Sequence, residues 1–338
     1  MNKKIYFLFL AYMLVEAGCH QASTKFIELP KVNITLEVDS VYSNTILEAI
    51  GIIATDDYVV LMNHKKDTLF DVFDNKSGKY LYSNLTYGQG PKDMAPFLNI
   101  YSLEKNDIYA TGLGAATLTM MKVNEQHLDI TEKKKLPLEE TLYQTIYLLD
   151  DDRIMVKSTN EDAEWFFYNG NTGEFIGDCF FTLSNIIGDH KSNDNNMMKL
   201  ADRRCSVAVN RERGRIAIFY IWFPYMKILD TSGNVVFETS VGVPANQIKY
   251  EPDIMKRSYH FHKCVGTKDY LFVGYPTGDS SADYFQVWNW DGELLHILKI
   301  PGGMNAFTVT PDAKRIYGIK TDSDWLYYCD LALQSDKR

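Results

Sequence analysis

The fold is decided by the stretch Phe70-Asp-Val-Phe-Asp-Asn-Lys-Ser-Gly-Lys-Tyr-Leu-Tyr82. Apolar side chains recur at every second position on both sides of its polar centre, as in strands with one buried face. Gly78 lies where the chain must reverse, and glycine readily adopts the positive φ that closes a tight turn. The stretch therefore predicts a strand, a turn and a second strand.

The same pattern recurs downstream, with Asp or Asn opening each turn and Gly closing it. The copies are residues 167–176, 227–236 and 286–295, and residues 121–130 form a weaker copy without the glycine. Four short strands every ~40–60 residues is the spacing of propeller blades. We predict an all-β fold over residues 26–333, a six-bladed β-propeller with four-stranded blades. Seven blades is the alternative if a long connection contains a further strand.

The last repeat has only three predicted strands, whereas residues 26–36 form an extended segment without a hairpin partner. We predict that this N-terminal strand completes the C-terminal blade and closes the ring, which leaves no free sheet edge. A β-sandwich would also contain many short strands, but it would not show a four-strand period.

The N-terminus has the features of a secretion signal. Lys3 and Lys4 precede an apolar run at residues 5–15, which is too short to span a bilayer as a helix. The following Ala-Gly-Cys19 resembles the end of a bacterial lipobox, although Glu16 stands where Leu is usual. We predict a signal peptide at residues 1–18, a lipidated tether at 19–25 and lipid attachment at Cys19. An ordinary secretion signal is the alternative.

The repeated Asp/Asn-x-x-Gly turns, each followed by an aromatic or aliphatic strand, resemble those of TolB-like six-bladed β-propellers. Gly88-Gln-Gly-Pro91 is similar to a motif that follows an early blade in propeller lipoproteins of Gram-negative bacteria. The resemblance extends over the whole mature chain and implies a propeller anchored in the cell envelope, at the outer membrane. No acidic cluster follows Cys19, which favours the periplasmic face over the cell surface. The resemblance implies no catalytic residue.

Charge and motifs narrow the classes of function. The net charge is −9, and no basic block is long enough to follow a phosphate backbone, so nucleic acid is not expected as a partner. The chain contains no G-x-S-x-G, and its paired glycines do not open a helix after a strand. We therefore predict neither catalytic residues nor a cofactor.

Two long connections are predicted at the end of the ring that carries the blade-to-blade loops. They comprise residues 182–204 and 240–258, and long loops in a compact domain are often functional. Arg203 and Arg204 in the first, with Arg257 in the second, could recognise a polar or anionic ligand. The alternative is that these residues are ordinary solvated charges.

An aromatic turn is predicted between two strands of the fourth blade. Turns are normally polar, yet this one contains Trp222, Phe223 and Tyr225. Exposed rings could stack on sugars or on peptide side chains, which makes the three residues candidates for a binding face. The alternative is that the rings pack against the neighbouring blade.

The chain also contains His260-x-His262-x-Cys264, which is predicted to lie on a strand with all three side chains on one face. Same-face neighbours on a strand are ~7 Å apart, too far for one small ion, so we predict core packing and no metal.

Four cysteines follow the signal, and they could form two disulfides in three pairings. Buried free thiols are the expectation. The cysteines are Cys179, Cys205, Cys264 and Cys329.

We predict a membrane-anchored binding module that recognises an envelope protein, peptide or glycan through the loop face. One alternative is a propeller enzyme, such as a metal-dependent lactonase, another hydrolase or a lyase. It requires carboxylate, Asn or His side chains from several blades at one axial cavity. A second alternative is a structural subunit of an envelope complex.

Overall fold

The computed structural model describes residues 26–42, 49–63, 67–88, 90, 93–112, 116–138, 143–158, 163–180, 202–276, 282–321 and 323–333. The predicted signal peptide, Cys19 and most of the loop at residues 182–204 lie outside these residues. The described chain is almost entirely β-structure, in six sheets arranged as a ring. This confirms the six-bladed β-propeller.

The described residues form 25 strands and two short 3-10 helices. In chain order the strands are β1 (Ile34–Thr35), β2 (Asp39–Tyr42), β3 (Ala49–Ala54), β4 (Tyr58–Asn63), β5 (Phe70–Asp74), β6 (Tyr80–Asn84), β7 (Phe97–Ser102), β8 (Asp107–Gly112), β9 (Thr117–Val123), β10 (Leu128–Lys135), β11 (Tyr143–Leu148), β12 (Arg153–Ser158), β13 (Ala163–Asn169), β14 (Phe175–Phe180), β15 (Cys205–Asn210), β16 (Arg215–Tyr220), β17 (Tyr225–Asp230), β18 (Val235–Ser240), β19 (Cys264–Gly266), β20 (Tyr270–Tyr275), β21 (Ala282–Asn289), β22 (Leu294–Met304), β23 (Ala306–Val309), β24 (Arg315–Ile319) and β25 (Trp325–Asp330). The 3-10 helices are Ala245–Gln247 and Ile254–Lys256.

Each blade is an antiparallel meander of four strands. Blades 1 to 4 contain β3–β6, β7–β10, β11–β14 and β15–β18, blade 5 contains β19–β22, and blade 6 contains β23–β25 with β2. The first strand of each blade lines the axis and the fourth lies at the rim.

An N-terminal strand does close the ring, but the prediction that residues 26–36 provide this strand was wrong. β2 pairs antiparallel with β25 and completes blade 6. Residues 26–36 come earlier in the path, and β1 within them pairs parallel with β22 as a fifth strand of blade 5. The apolar side chains of Ile34 and Leu36 explain this position, because they pack against the core between blades 5 and 6.

Side chains of blade 6 bind the backbone of blade 1 across the closure. The Tyr317 hydroxyl donates to the Asn75 carbonyl at 2.5 Å, and Arg315 Nη1 donates to the Lys76 carbonyl at 2.8 Å. Arg315 Nε also donates to Asp330 within blade 6 at 2.6 Å. Hydrogen bonds therefore reinforce the strand pairing that joins the two ends of the chain.

The strand β5 differs from the sequence expectation of one buried face. Phe70, Asp71, Val72 and Phe73 are all buried, because a propeller blade is covered by a neighbour on each side. The Asp71 carboxylate accepts hydrogen bonds from Asn63 and Ser83, which satisfies it in the interior. The core consequently lies between blades, in several clusters around the ring.

The turn that follows β5 has the predicted conformation. Gly78 has φ +68°, in the left-handed region that favours glycine. A Cβ on this residue would lie 3.1 Å from the Val41 side chain in β2. The turn between the third and fourth strands thus also forms a contact with the preceding blade.

Candidate binding face

Three segments meet above blade 4, and together we call them the cap. They are residues 202–204 before β15, the turn 221–224 between β16 and β17, and the connection 241–263 between β18 and β19. Backbone hydrogen bonds join them, from Ile221 N to the Arg204 carbonyl at 2.9 Å and from His260 N to the Ile221 carbonyl at 2.8 Å. The segments predicted as a binding face are therefore adjacent in space.

The aromatic turn contributes to the core beneath the cap. Trp222, Phe223 and Tyr225 are 8%, 2% and 7% exposed, and they belong to the apolar cluster between blades 3 and 4. The Trp222 ring lies 4.6 Å from the Tyr259 ring, which covers it from outside. These side chains thus pack against the neighbouring blade, which was the alternative to a binding role. Trp222 and Phe223 offer no open surface for stacking.

Arg203 and Arg204 lie at the base of the cap, just before β15. The Arg203 carbonyl accepts a hydrogen bond from Lys157 Nζ, and the Arg204 carbonyl accepts the one from Ile221 described above. The Arg204 side chain is exposed and the Arg203 side chain is half-buried. Recognition of an anion by these side chains stays a prediction.

A buried ion pair holds the connection 241–263 to the segment before β15. Arg257 Nη1 lies 2.6 Å from Asp202 Oδ1, and the two side chains are 4% and 7% exposed. The Tyr250 hydroxyl donates to Asp202 Oδ2 at 3.2 Å and accepts from Arg257 Nη2 at 3.1 Å. Arg257, a candidate ligand group in the sequence, is thus engaged within the protein.

The ion pair fixes a loop whose outer surface carries apolar side chains beside the exposed Lys256–Asp253 ion pair. Met255 is 89% exposed, and Ile254 and Tyr259 are 37% and 40% exposed. Asp253 caps the 3-10 helix that carries the first two, because its carboxylate accepts a hydrogen bond from Met255 N at 3.0 Å. Exposed apolar residues on an anchored loop are typical of contact surfaces.

A small cleft of about 100 Å³ opens beside this loop, between blades 4 and 5. Burial lowers the pKa of His260, so its ring is neutral at pH 7. Gln286 is buried at the base and accepts a hydrogen bond from the indole N–H of Trp288 at 3.0 Å. The lining residues are Leu29, Pro224, Val241, Tyr259, His260, Phe261, Tyr275, Pro276 and Gln286.

A polar cluster that sequence reasoning missed lies below the cap, between blades 3 and 4. Lys227 Nζ and Glu164 Oε2 are 3.1 Å apart, and both side chains are fully buried. The Tyr220 hydroxyl donates to Glu164 at 2.6 Å, and Lys227 also donates to Cys179 Sγ at 3.2 Å. The sequence did not predict this cluster, because Lys227 is buried only where blade 3 packs against its strand in blade 4.

The same surroundings set the protonation of these groups. Burial acts to lower the pKa of Lys227, but Glu164 and Cys179 outweigh it, so the pKa is raised and the amine stays charged. Burial raises the pKa of Cys205 to about 11, which leaves the thiol protonated and a poor nucleophile at neutral pH. The cysteines 179, 205, 264 and 329 are all free thiols.

Comparison with known proteins agrees with the fold. A family model described as a TolB-like 6-blade propeller matches residues 30–252, which is well over half of the chain. The chain belongs to the TolB-like six-bladed propeller family. Members of this family are typically associated with the bacterial cell envelope. No protein of curated function matches the chain.

Solved structures resemble this TolB-like propeller in fold. Their sequence identities to it are low, so the comparison extends to the fold alone. A member of the DUF4221 family from Bacteroides vulgatus superposes with a TM-score of 0.59 at 12% identity, covering 87% of this chain and 98% of that one. The WD40 domain of Toxoplasma gondii coronin gives 0.50 at 9% identity, covering 93% and 90% of the two chains.

The prediction that His260 and His262 share a strand with Cys264 was wrong for this TolB-like chain. β19 begins only at Cys264, because His260 and Phe261 still belong to the connection over blade 4. Cys264 is buried in the core between blades 4 and 5, and burial raises its pKa. Among the residues that the structure describes, no three His, Cys, Asp or Glu side chains are grouped to hold a metal.

The enzyme alternative requires carboxylate, Asn or His side chains from several blades at the axis of this TolB-like ring. The inner strands β3, β7, β11, β15, β19 and β23 contain no Asp, Glu or His. Two of these strands carry an asparagine, Asn99 in β7 and Asn210 in β15. Within the described part of the chain, no helix is long and apolar enough to cross a bilayer.

Proposed function

We propose that this TolB-like propeller is a lipid-anchored binding module of the cell envelope, which contacts a protein or peptide partner through the cap. The observation that carries the proposal is the exposure of Met255 and Ile254 on a loop that the Asp202–Arg257 pair fixes in place. A pre-ordered apolar surface binds without first losing loop entropy, which favours affinity.

A protein or peptide is favoured over a glycan by the chemistry of the exposed side chains. Sugars bind to proteins by stacking on open aromatic faces, whereas Trp222 and Phe223 are buried and the exposed Tyr259 ring packs against Trp222. The outer residues Ile254 and Met255 are aliphatic and flexible, which suits apolar side chains of a partner. The cleft beside Tyr259 has room for one small side chain of such a partner.

Site-specific photo-cross-linking tests the cap as the binding face. With a photoreactive phenylalanine at Met255, we expect one discrete cross-linked product in intact envelopes. The same amino acid at Lys76, an exposed residue in the turn between β5 and β6 at the opposite end, should give none. Met255→Asp should abolish capture of the partner identified at Met255, because burying a carboxylate against apolar groups is costly.

Equal products from both positions, or none from either, would contradict the proposal. Trp222→Ala and Tyr225→Ala are unsuitable for this test, because these side chains are buried in the core. Loss of capture in them could reflect unfolding alone. Comparison of melting temperatures for the wild type and Met255→Asp should show little change, since Met255 is exposed.

Membrane attachment through Cys19 is tested separately. We expect Cys19→Ser to move the protein from the membrane fraction to the soluble fraction and to abolish incorporation of labelled palmitate. Cys205→Ser is the matched control, since it removes a thiol in the propeller and keeps Cys19. A Cys19→Ser protein that still sediments with membranes and incorporates label would overturn the anchor.

A further inference from the structure

The axial channel of the ring has a wall without formal charge. Six inner strands, one from each blade, surround it, and none of them contains Asp, Glu, Lys or Arg. An inner strand pairs within its sheet on one side only, so its other edge faces the axis. Side chains occupy part of this edge, as where Cys264 N donates to the Ser206 hydroxyl at 2.7 Å. The wall therefore offers amide dipoles and neutral side chains. The strands are β3, β7, β11, β15, β19 and β23.

A cationic side chain of the cap contacts an inner strand of another blade. Lys263 immediately precedes β19, and its Nζ donates to the Ile52 carbonyl at 2.7 Å. Ile52 belongs to β3 of blade 1, two blades further round the ring, so the side chain links two blades that are not neighbours. Among the described residues, Lys263 forms no ion pair with a carboxylate.

Within the described part of the chain, the ammonium group therefore has a backbone carbonyl as its partner and no carboxylate. Burial lowers the pKa of Lys263 to about 8, and the adjacent Cys264 thiol opposes this only weakly. Cys264 stays protonated because burial raises its pKa, and His260 is neutral for the reason given above. Besides these groups, His262 lies on the same segment, and the inner strands contribute no charge. A bound anion would restore the missing counter-charge.

We propose that the axial channel binds the carboxylate of a small molecule or of a peptide terminus, with Lys263 as its counter-charge. A monoanion matches a single ammonium, whereas a phosphate dianion is usually held by several cations or a guanidinium fork. This site is separate from the apolar surface of the cap, and its existence does not depend on the proposed function.

Lysine NMR tests the proposal on the intact folded domain. The side-chain signal of Lys263, labelled with ¹³C at Cε and assigned through Lys263→Met, should titrate near pH 8. Sodium acetate or a tripeptide with a free carboxyl terminus should raise this midpoint, and the amidated tripeptide should not. A response to acetate alone identifies a free small molecule, and a response to the peptide acid alone identifies a chain terminus. No shift with either, or a shift only with inorganic phosphate, would overturn the assignment.

The affinity of the protein for the carboxylate that raises the Lys263 midpoint, acetate or the tripeptide acid, should fall as the pH rises. Binding requires the protonated amine, so affinity should be constant below pH 7 and fall about tenfold per pH unit above the pKa of Lys263. Lys263→Met should weaken binding at least tenfold at pH 7, whereas Lys79→Met, on the opposite end of the ring, should leave it unchanged. Equal affinity in all three proteins would contradict the site.

A stability measurement separates loss of the site from loss of the fold. Because the pKa of Lys263 is lower in the folded state than the usual 10.5, wild-type stability should rise between pH 8 and 10.5. Lys263→Met should lack this rise and should melt at least as high as the wild type at pH 7. A variant that melts lower at pH 7 would show that the ammonium is structural.

Discussion

Replacing Glu164 with glutamine is expected to lower the free energy of unfolding by about 3–5 kcal/mol. The variant keeps the shape of the side chain but leaves the fully buried Lys227 without its counter-charge. The remaining partners of Lys227 Nζ, the Cys179 thiol and the Phe180 carbonyl, cannot replace a carboxylate. Urea unfolding followed by tryptophan fluorescence measures the change, because Trp165 lies in the same cluster.

An exposed ion pair provides the matched control. Lys268 and Glu212 are 2.8 Å apart, but their side chains are 63% and 66% exposed. Glu212→Gln should therefore change stability by less than about 1 kcal/mol. Adding Lys227→Met to Glu164→Gln should recover part of the loss, since the uncompensated charge is removed. Equal effects of the two glutamine substitutions would show that burial of the Lys227 pair has no energetic consequence.

Replacing Gly292 with alanine should destabilise the propeller by about 3 kcal/mol, combining backbone strain with overpacking. Gly292 has φ +88°, and a Cβ there would lie 2.4 Å from the ring of Phe237 in the outer strand of blade 4. The aromatic ring packs against the core between blades 4 and 5, so it cannot move away freely. Thermal unfolding by calorimetry measures the loss.

A substitution at Gly214 separates the cost of backbone strain from the cost of overpacking. The φ of Gly214 is also positive, at +59°, but a Cβ on this residue would have its nearest neighbour 3.8 Å away, on the Thr231 side chain. Gly214→Ala should therefore show only backbone strain, about 1 kcal/mol. Phe237→Ala combined with Gly292→Ala should cost less than the sum of the single changes, because the clash disappears. Equal losses at Gly214 and Gly292 would exclude the contact between blades as a cause.

The repeated hairpins were predictable because their information is local. An Asp or Asn at the start of each turn binds the backbone a few residues on, as when Asp230 accepts from Ser232 N and Asn234 N at 2.8 and 3.0 Å. Such bonds form between neighbours in sequence, so composition alone reveals them. Counting the hairpins then predicted the number of blades.

The candidate site was predictable in position but not in detail. The sequence indicated that residues 203–204, the turn after β16 and the connection after β18 belong to one end of the ring, and backbone hydrogen bonds join them. It could not show that Trp222 packs inward, or that Arg257 binds Asp202, because both contacts depend on how neighbouring blades face each other. For the same reason Lys227 and Lys263 gave no signal.

The sequence by itself determined the all-β class, the four-strand period and the turn conformations, since these depend on side-chain alternation and on residues within a few positions of one another. Only the tertiary structure decided which N-terminal segment closes the ring, which strands are buried on both faces and which cations lose their solvent. Those properties arise where blades distant in sequence pack together, and burial there determines whether a polar group is solvated, paired or left for a ligand.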